Sequence, residues 1–164
     1  MRVRQATEAD AGLLAALNAV VQQLHHENEP DRFKSPDAEA FEPMVRDWLR
    51  QPEVRAFIAE DEAERPTGYV LAVVHDHQDN ALVCGGRFVE LDHIAVLPEY
   101  RLSGIGTLLA GCVFRFAQEV GATDVELTTW DFNRTAQDFF TSLGFRTTHH
   151  RMSARVLGNA EEAT

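Results

Sequence analysis

The stretch HIAVLPEYRLSGIGTLLAGCVF, His93 to Phe114, constrains the fold of this chain most strongly. It opens on an apolar run that fits a buried strand, and Pro98 closes it. Glycines follow at 104 and 106. From there Ile105, Leu108, Leu109, Cys112, Val113, Phe116 and Val120 recur at helical spacing. The hydrophobic period changes from strand-like to helix-like within one short turn, so strand, glycine loop and helix must be joined directly.

The two glycines raise a chemical question. Without a Cβ, the backbone can pass close to a bulky anion. The free N–H groups of the next helix start would point at that anion, and the helix dipole favours negative charge there. Arg101, Ser103 and Thr107 add donors. A plain strand-to-helix turn accounts for the same two glycines. As a phosphate cradle the stretch lacks the Gly-Lys-Ser/Thr of a Walker A loop. It also lacks the third small residue of a dinucleotide fingerprint, because Leu109 stands there, and it comes late in the chain.

The remaining elements follow from periodicity and turn residues. Met1 to Gln5 reads as a short strand. Thr7 with Asp10 resembles a capping box, and Leu13, Leu14, Leu17, Val20, Val21 and Leu24 line one helix face. HHENEPDRFKSP reads as a polar loop, with Ser35-Pro36 starting a second helix that buries Phe41, Met44, Val45, Trp48 and Leu49. Val54 to Glu60 and Gly68 to Val74 flank a polar turn and predict an antiparallel pair. His75 to Asn80 reads as a loop, Arg87 to Leu97 as a strand, and DVELTT as another. Asn133 to Leu143 predicts a helix closed by Gly144, and Phe145 to Val156 a long final strand. The expected order is β-α-α-β-β-β-α-β-α-β. That is an α/β chain with a mixed sheet, one domain over residues 1–157, and a frayed tail over 158–164.

The formal net charge of −11 over 164 residues argues against nucleic acid as a partner, since phosphate binding wants a basic surface. It suits a cationic small substrate, or solubility alone. No apolar run reaches the ~18 residues of a membrane span, and the N-terminus shows no secretory signal, so a cytoplasmic protein without a membrane partner is expected. Cys84 and Cys112 have neither metal-site nor disulfide-framework spacing. The His75-Asp76-His77 run has a metal-like look, but three loop residues make no site, and no metal is expected.

PEYRLSGIGTLL resembles the acyl-CoA-binding motif of the Gcn5-related N-acetyltransferase (GNAT) superfamily: Arg101, Gly104 and Gly106 occupy its Arg, Gly and Gly places. NRTAQDFFTSLGF resembles the second motif of the family, and ATEADAGLLAALN its opening. The resemblance covers nearly the whole chain. It implies a mixed, mostly antiparallel GNAT-like sheet with a splayed strand pair and flanking helices. It also implies transfer of acetyl from acetyl-CoA to a primary amine of a small molecule or protein, by direct attack in a ternary complex. Arg101, Leu102, Ser103, Gly104, Ile105, Gly106 and Thr107 would cradle the CoA pyrophosphate. The backbone of Ile94, Ala95 and Val96 would pair with the pantetheine arm, Asn133 would hydrogen-bond it, and Phe139 or Phe140 would pack beside it. Leu102 stands where many members have a small residue, which implies altered packing. Dimers are frequent in the family, and the last strand offers an edge for a homodimer.

Amine acetylation needs a base. Strand alternation puts Glu90, Asp92, Ile94 and Val96 on one face and Leu91, His93 and Ala95 on the other. Two carboxylates in an apolar strand would raise one pKa toward neutrality, unless they pair with a basic side chain such as Arg87. By resemblance, Glu90 falls where some members carry a glutamate base and Asp92 where others carry theirs. Many members place a Tyr next to the CoA sulfur as acid; here Phe140 stands there and cannot donate a proton. Tyr69, Tyr100 and Ser142 are the other hydroxyl candidates. His25 and His26 end the first helix beside the loop that walls the acceptor site in this family, which makes them candidate substrate contacts; a polar helix end is the plainer reading. Cys112 reads as core. The absent tyrosine favours a rival, a non-catalytic acyl-CoA-binding or regulatory module. A Rossmann-type nucleotide binder is a third reading.

Overall fold

The computed structural model describes residues Met1 to Ala154. They fall into two compact units, Met1–Phe132 and a second beginning at Asn133. The first unit carries β1 (Arg2–Gln5), α1 (Ala11–Asn28), α2 (Ala38–Leu49), β2 (Val54–Glu60), β3 (Pro66–His77), β4 (Gly86–Val96), α3 (Ile105–Glu119) and β5 (Asp124–Glu126). The second carries α4 (Arg134–Ser142). The five strands form one sheet in chain order. Pairs β1–β2, β2–β3 and β3–β4 are antiparallel; β4–β5 is parallel. The expected mixed, mostly antiparallel sheet with flanking helices is present.

Alternation along the strands builds a core on each face of this sheet. Ala56, Ile58, Tyr69, Leu71 and Ala95 pack with Leu14, Leu17 and Val45, so α1 and α2 cover one face. The intervening strand residues face α3, which lies over β2, β3 and β4. Its buried stripe is Ile105, Leu109, Cys112, Val113 and Phe116. Full burial of a Leu14 or Ile58 side chain contributes about 1.5–3 kcal/mol. β3 and β4 approach so closely at Gly68 that an added Cβ would lie 2.5 Å from the Ala95 carbonyl oxygen.

Several boundaries differ from expectation, each for a local reason. Before α1, Glu8–Asp10 form a 3-10 turn. The Asp10 carboxylate accepts from both the backbone N–H (2.8 Å) and the hydroxyl (3.1 Å) of Thr7. α1 then runs on through His25 and His26 to Asn28. α2 starts after Asp37, not at Ser35-Pro36, because the Asp37 carboxylate accepts the Ala40 N–H at 3.0 Å and provides the cap. β3 continues to His77 where a loop was expected. There His75 and His77 both stack on Phe88 of β4, with ring centroids 4.9 and 4.8 Å apart. β5 is limited to Asp124–Glu126, so the second half of DVELTT lies outside the ladder.

The long final strand is not present over 145–154, and positions 155 and 156 lie outside the described residues, as does the tail 158–164. Residues 146–154 are exposed, and their one large apolar side chain, Met152, is 91% accessible. With so little apolar surface to bury there, a strand has no driving force in the chain as described.

Candidate functional site

The site begins with an irregularity in β4. Leu91 pairs with Ala72 and His93 with Leu71, which leaves Asp92 as an extra, unpaired residue: a β-bulge. The bulge overturns the simple alternation. Leu91 shares the α3 face with its partner Ala72. His93 and Ala95 share the opposite face with Leu71 and Tyr69, and Glu90, opposite Val73, joins them. Glu90 and His93 therefore lie on the same face, not on opposite ones.

The same strand opens on its other edge. The parallel ladder to β5 ends at the pair Glu90 and Glu126. Leu91 to Val96 continue beside β3, with no strand on their second edge among the described residues. Backbone N–H and C=O groups along such an edge can receive an extended ligand as an added strand.

That edge leads into the glycine turn. Pro98–Tyr100 form a 3-10 turn, and Gly104 adopts φ +85° as the residue capping α3. A left-handed conformation at this point is natural for glycine and costly for other residues. The first helical bond runs from Leu108 N–H to Gly104 O at 3.0 Å. The N–H groups of Ile105, Gly106 and Thr107 therefore have no acceptor within the helix. Leu102 is left-handed too, at φ +60°, with its side chain wholly exposed. The Arg101 Nε donates to the Val96 carbonyl at 3.3 Å, and the Ser103 hydroxyl to the Tyr100 carbonyl, which ties the turn back on itself. Such a turn, with free N–H groups at a helix start and no side chain at Gly104, fits a phosphorylated ligand.

Beside the bulge lies a polar group with aromatic walls. The Glu90 carboxylate meets His75 Nε2 at 2.9 Å. Arg87, the expected basic partner, is engaged by Asp76 through two bonds of 2.7 and 3.0 Å. The Asp92 carboxylate comes within 3.8 Å of His93 Nε2. His93 Nδ1 lies 3.3 Å from the Tyr69 oxygen, and the Tyr69 hydroxyl donates to Asn18 Oδ1 at 2.9 Å. Burial pushes the His93 pKa below the ordinary histidine value, against the pull of Asp92 and Glu90. Burial also lowers His25, and the nearby His93 adds to the effect. Phe41 and Trp48 stand 6.1 and 5.4 Å from the His93 ring.

The two helix-end histidines have different surroundings. His26 Nδ1 lies 2.8 Å from the Phe33 carbonyl and pins the loop to α1. His25 enters a ring cluster with Phe33 (4.8 Å), Phe132 (5.8 Å) and Trp130 (6.4 Å). Arg32 lies over the Trp130 ring, 5.0 Å from its centre. Sequence reasoning missed Asn18, Phe33, Tyr69 and His93 as a set, because they come from three separate elements and a loop. The available signal was the broken alternation in VELDHIAV: apolar residues at 89 and 91, then at 94 and 95.

The candidate acid groups are each engaged. The Tyr100 hydroxyl donates to Asp61 at 3.1 Å, and the Ser142 hydroxyl to the Phe139 carbonyl at 2.6 Å. Cys112 is core as expected, with its thiol pKa raised by burial. In the second unit the Asn133 carboxamide oxygen caps α4 by accepting the Ala136 N–H at 3.2 Å. Phe140 is buried, packed against Phe139 and Phe145 at 5.1 and 5.5 Å.

These features define a class: a mixed α/β protein whose fourth strand is bulged, open on one edge among the described residues, and continued through a glycine turn into a helix. The family described as "Acetyltransferase (GNAT) family" matches residues 20–145, and the chain belongs to it. The thialysine N-epsilon-acetyltransferase of Bos taurus is 37% identical over 59 residues, 36% of this chain and 35% of that protein. The Sus scrofa enzyme of the same name is 38% identical over 61 residues, 37% and 36% of the two chains. The match thus spans about a third of those relatives. Among solved structures, the BH1408 protein from Bacillus halodurans superposes with TM-score 0.90 at 22% identity, covering 95% of this chain and all of the other. Aminoglycoside N-acetyltransferase AAC(6')-Iy in complex with CoA gives TM-score 0.72 at 21% identity, covering 94% and 93%. Both share the fold.

Proposed function

We propose that this chain is an acyl-CoA-dependent N-acetyltransferase that moves acetyl from acetyl-CoA to a primary amine by direct attack. The observation that carries the reading is the open β4 edge running into the turn at Gly104. In this reading Ile94 to Val96 pair with the amide-bearing arm of the co-substrate, and the N–H groups of Ile105, Gly106 and Thr107 hold its pyrophosphate, with Arg101 and Ser103 beside them. Asp92 at the bulge, with Glu90 just before it, lies where the thioester would sit. They supply negative charge that draws an ammonium and favours a cationic acceptor. The relatives named for thialysine and aminoglycosides support an amine of that kind.

Calorimetry with acetyl-CoA tests the cradle. Micromolar binding that Gly104→Val weakens at least about tenfold is expected, since valine at positive φ distorts the turn. Unchanged affinity in the variant would refute the assignment. Thiol release with a panel of thialysine, a polyamine and an aminoglycoside tests the transfer. Glu90→Gln or Asp92→Asn is expected to lower turnover in at least one case by about 10²-fold.

A second reading, a CoA-binding module without transfer, draws on Phe140, which offers no proton where many family members have a tyrosine. Acetyl-CoA binding with no thiol release across the panel would favour it.

A further inference from the structure

We propose that His93, through Nε2, is the base that takes the proton from the acceptor ammonium, with Asp92 holding that ammonium in place. The inference rests on the acetyl transfer proposed above. Its core is a tautomer argument. The single proton of the Tyr69 hydroxyl goes to Asn18 Oδ1 at 2.9 Å. The Tyr69 oxygen therefore faces His93 Nδ1, 3.3 Å away, with a lone pair. Two lone pairs cannot bond, so Nδ1 carries the hydrogen and the neutral ring keeps its own lone pair on Nε2.

Nε2 in turn faces Asp92 Oδ2 at 3.8 Å, too far for a hydrogen bond. Two acceptors that face each other across this gap call for a donor reaching both, and an ammonium has three N–H groups. The ring keeps a way in, since its side chain is 26% exposed. It also stands immediately after the bulge, beside the open edge of β4. Glu90 is a poorer candidate, because His75 Nε2 already holds its carboxylate at 2.9 Å.

The groups facing His93 set its charge. From α1 comes His25, from β3 Tyr69, and from β4 Asp92 and Glu90; α2 presents only the rings of Phe41 and Trp48. Burial prevails over the two carboxylates and keeps the ring neutral at neutral pH, as a base requires.

The proton count closes. The ammonium gives one proton to Nε2, and the freed amine lone pair forms the C–N bond at the thioester carbonyl. The C–S bond then breaks, and the thiolate leaves with the second amine proton. The imidazolium returns its proton to solvent, so the products are an amide, a free thiol and one proton.

Two measurements test this. Long-range ¹H–¹⁵N spectra of the wild-type protein labelled at histidine read the tautomer without any activity. Nδ1–H at His93 is expected, and Nε2–H would overturn the proposal. In kinetics with whichever amine of the panel turns over, His93→Gln is expected to lower kcat by ~10²-fold or more and to remove the acid limb of its pH profile. Acetyl-CoA affinity should stay within about twofold by calorimetry, so that loss of folding is distinguished. Tyr69→Phe should give a smaller loss of kcat, with Nδ1–H no longer fixed in the spectrum. A His93→Gln enzyme within about threefold of wild type, acid limb intact, would sink the idea. Should the wild type bind no acetyl-CoA, the transfer reading fails on its own, and the tautomer spectrum still decides the geometry.

Discussion

Leu102 and Arg4 show how single side chains act through conformation and charge. Leu102 sits in the left-handed region at φ +60° with its side chain wholly in solvent, so it contributes strain and no packing. Leu102→Gly is therefore expected to raise stability by about 0.5–1 kcal/mol, read as a higher urea midpoint at unchanged slope. Its unusual residue type was legible from the sequence; its φ was not. Arg4 reaches both Asp10, at 2.7 and 2.9 Å, and Glu60, at 2.7 Å. These bonds from the guanidinium hold the Asp10 carboxyl down at about 2. A depressed carboxylate stabilises the fold at pH values above its unfolded pKa, and that stability is lost as pH falls from there through the folded value. Arg4→Ala should cost about 1 kcal/mol at neutral pH and move the acid-unfolding midpoint upward; thermal melts across pH 2 to 5 check both.

The element that decides the site is β4, and its bulge divides two roles. From Phe88 to Glu90 the strand is paired on both edges; beyond Asp92 no strand among the described residues covers its second edge. Deleting Asp92 would restore regular alternation, with Leu91 toward α3 and His93 toward α1 and α2 as now. The fold should persist by circular dichroism. Acetyl-CoA affinity should fall at least about tenfold, the equivalent of one or more lost backbone hydrogen bonds, because the ladder to β5 could then close. Undiminished affinity in the deletion would separate the bulge from co-substrate binding. α3 was read correctly from its 3.6-residue stripe. The residues after Gly144 were not: Arg146 to Ala154 have the look of a strand in sequence, but expose nearly everything and join no ladder.

Across the whole chain the charge of −11 acts at long range. A cationic acceptor should show kcat/KM falling several-fold between about 0.05 and 0.5 M salt, while a neutral amine should not, because screening shortens the Debye length to below about 5 Å. A flat salt response for both would remove charge steering from the reading. At this scale the sequence alone determined the element order as far as α4, the family, the place of the glycine turn and the helix that follows it. Those features are local: period, turn chemistry and motif spacing are written in consecutive residues. Only the tertiary structure decided which side chains share a face at the bulge, that the Tyr69 hydroxyl lies between Asn18 and His93, and that Phe33, Trp130 and Phe132 gather around His25. Each depends on register between strands or on contact between distant elements, and a one-residue slip in register reverses a face without changing a letter of the sequence.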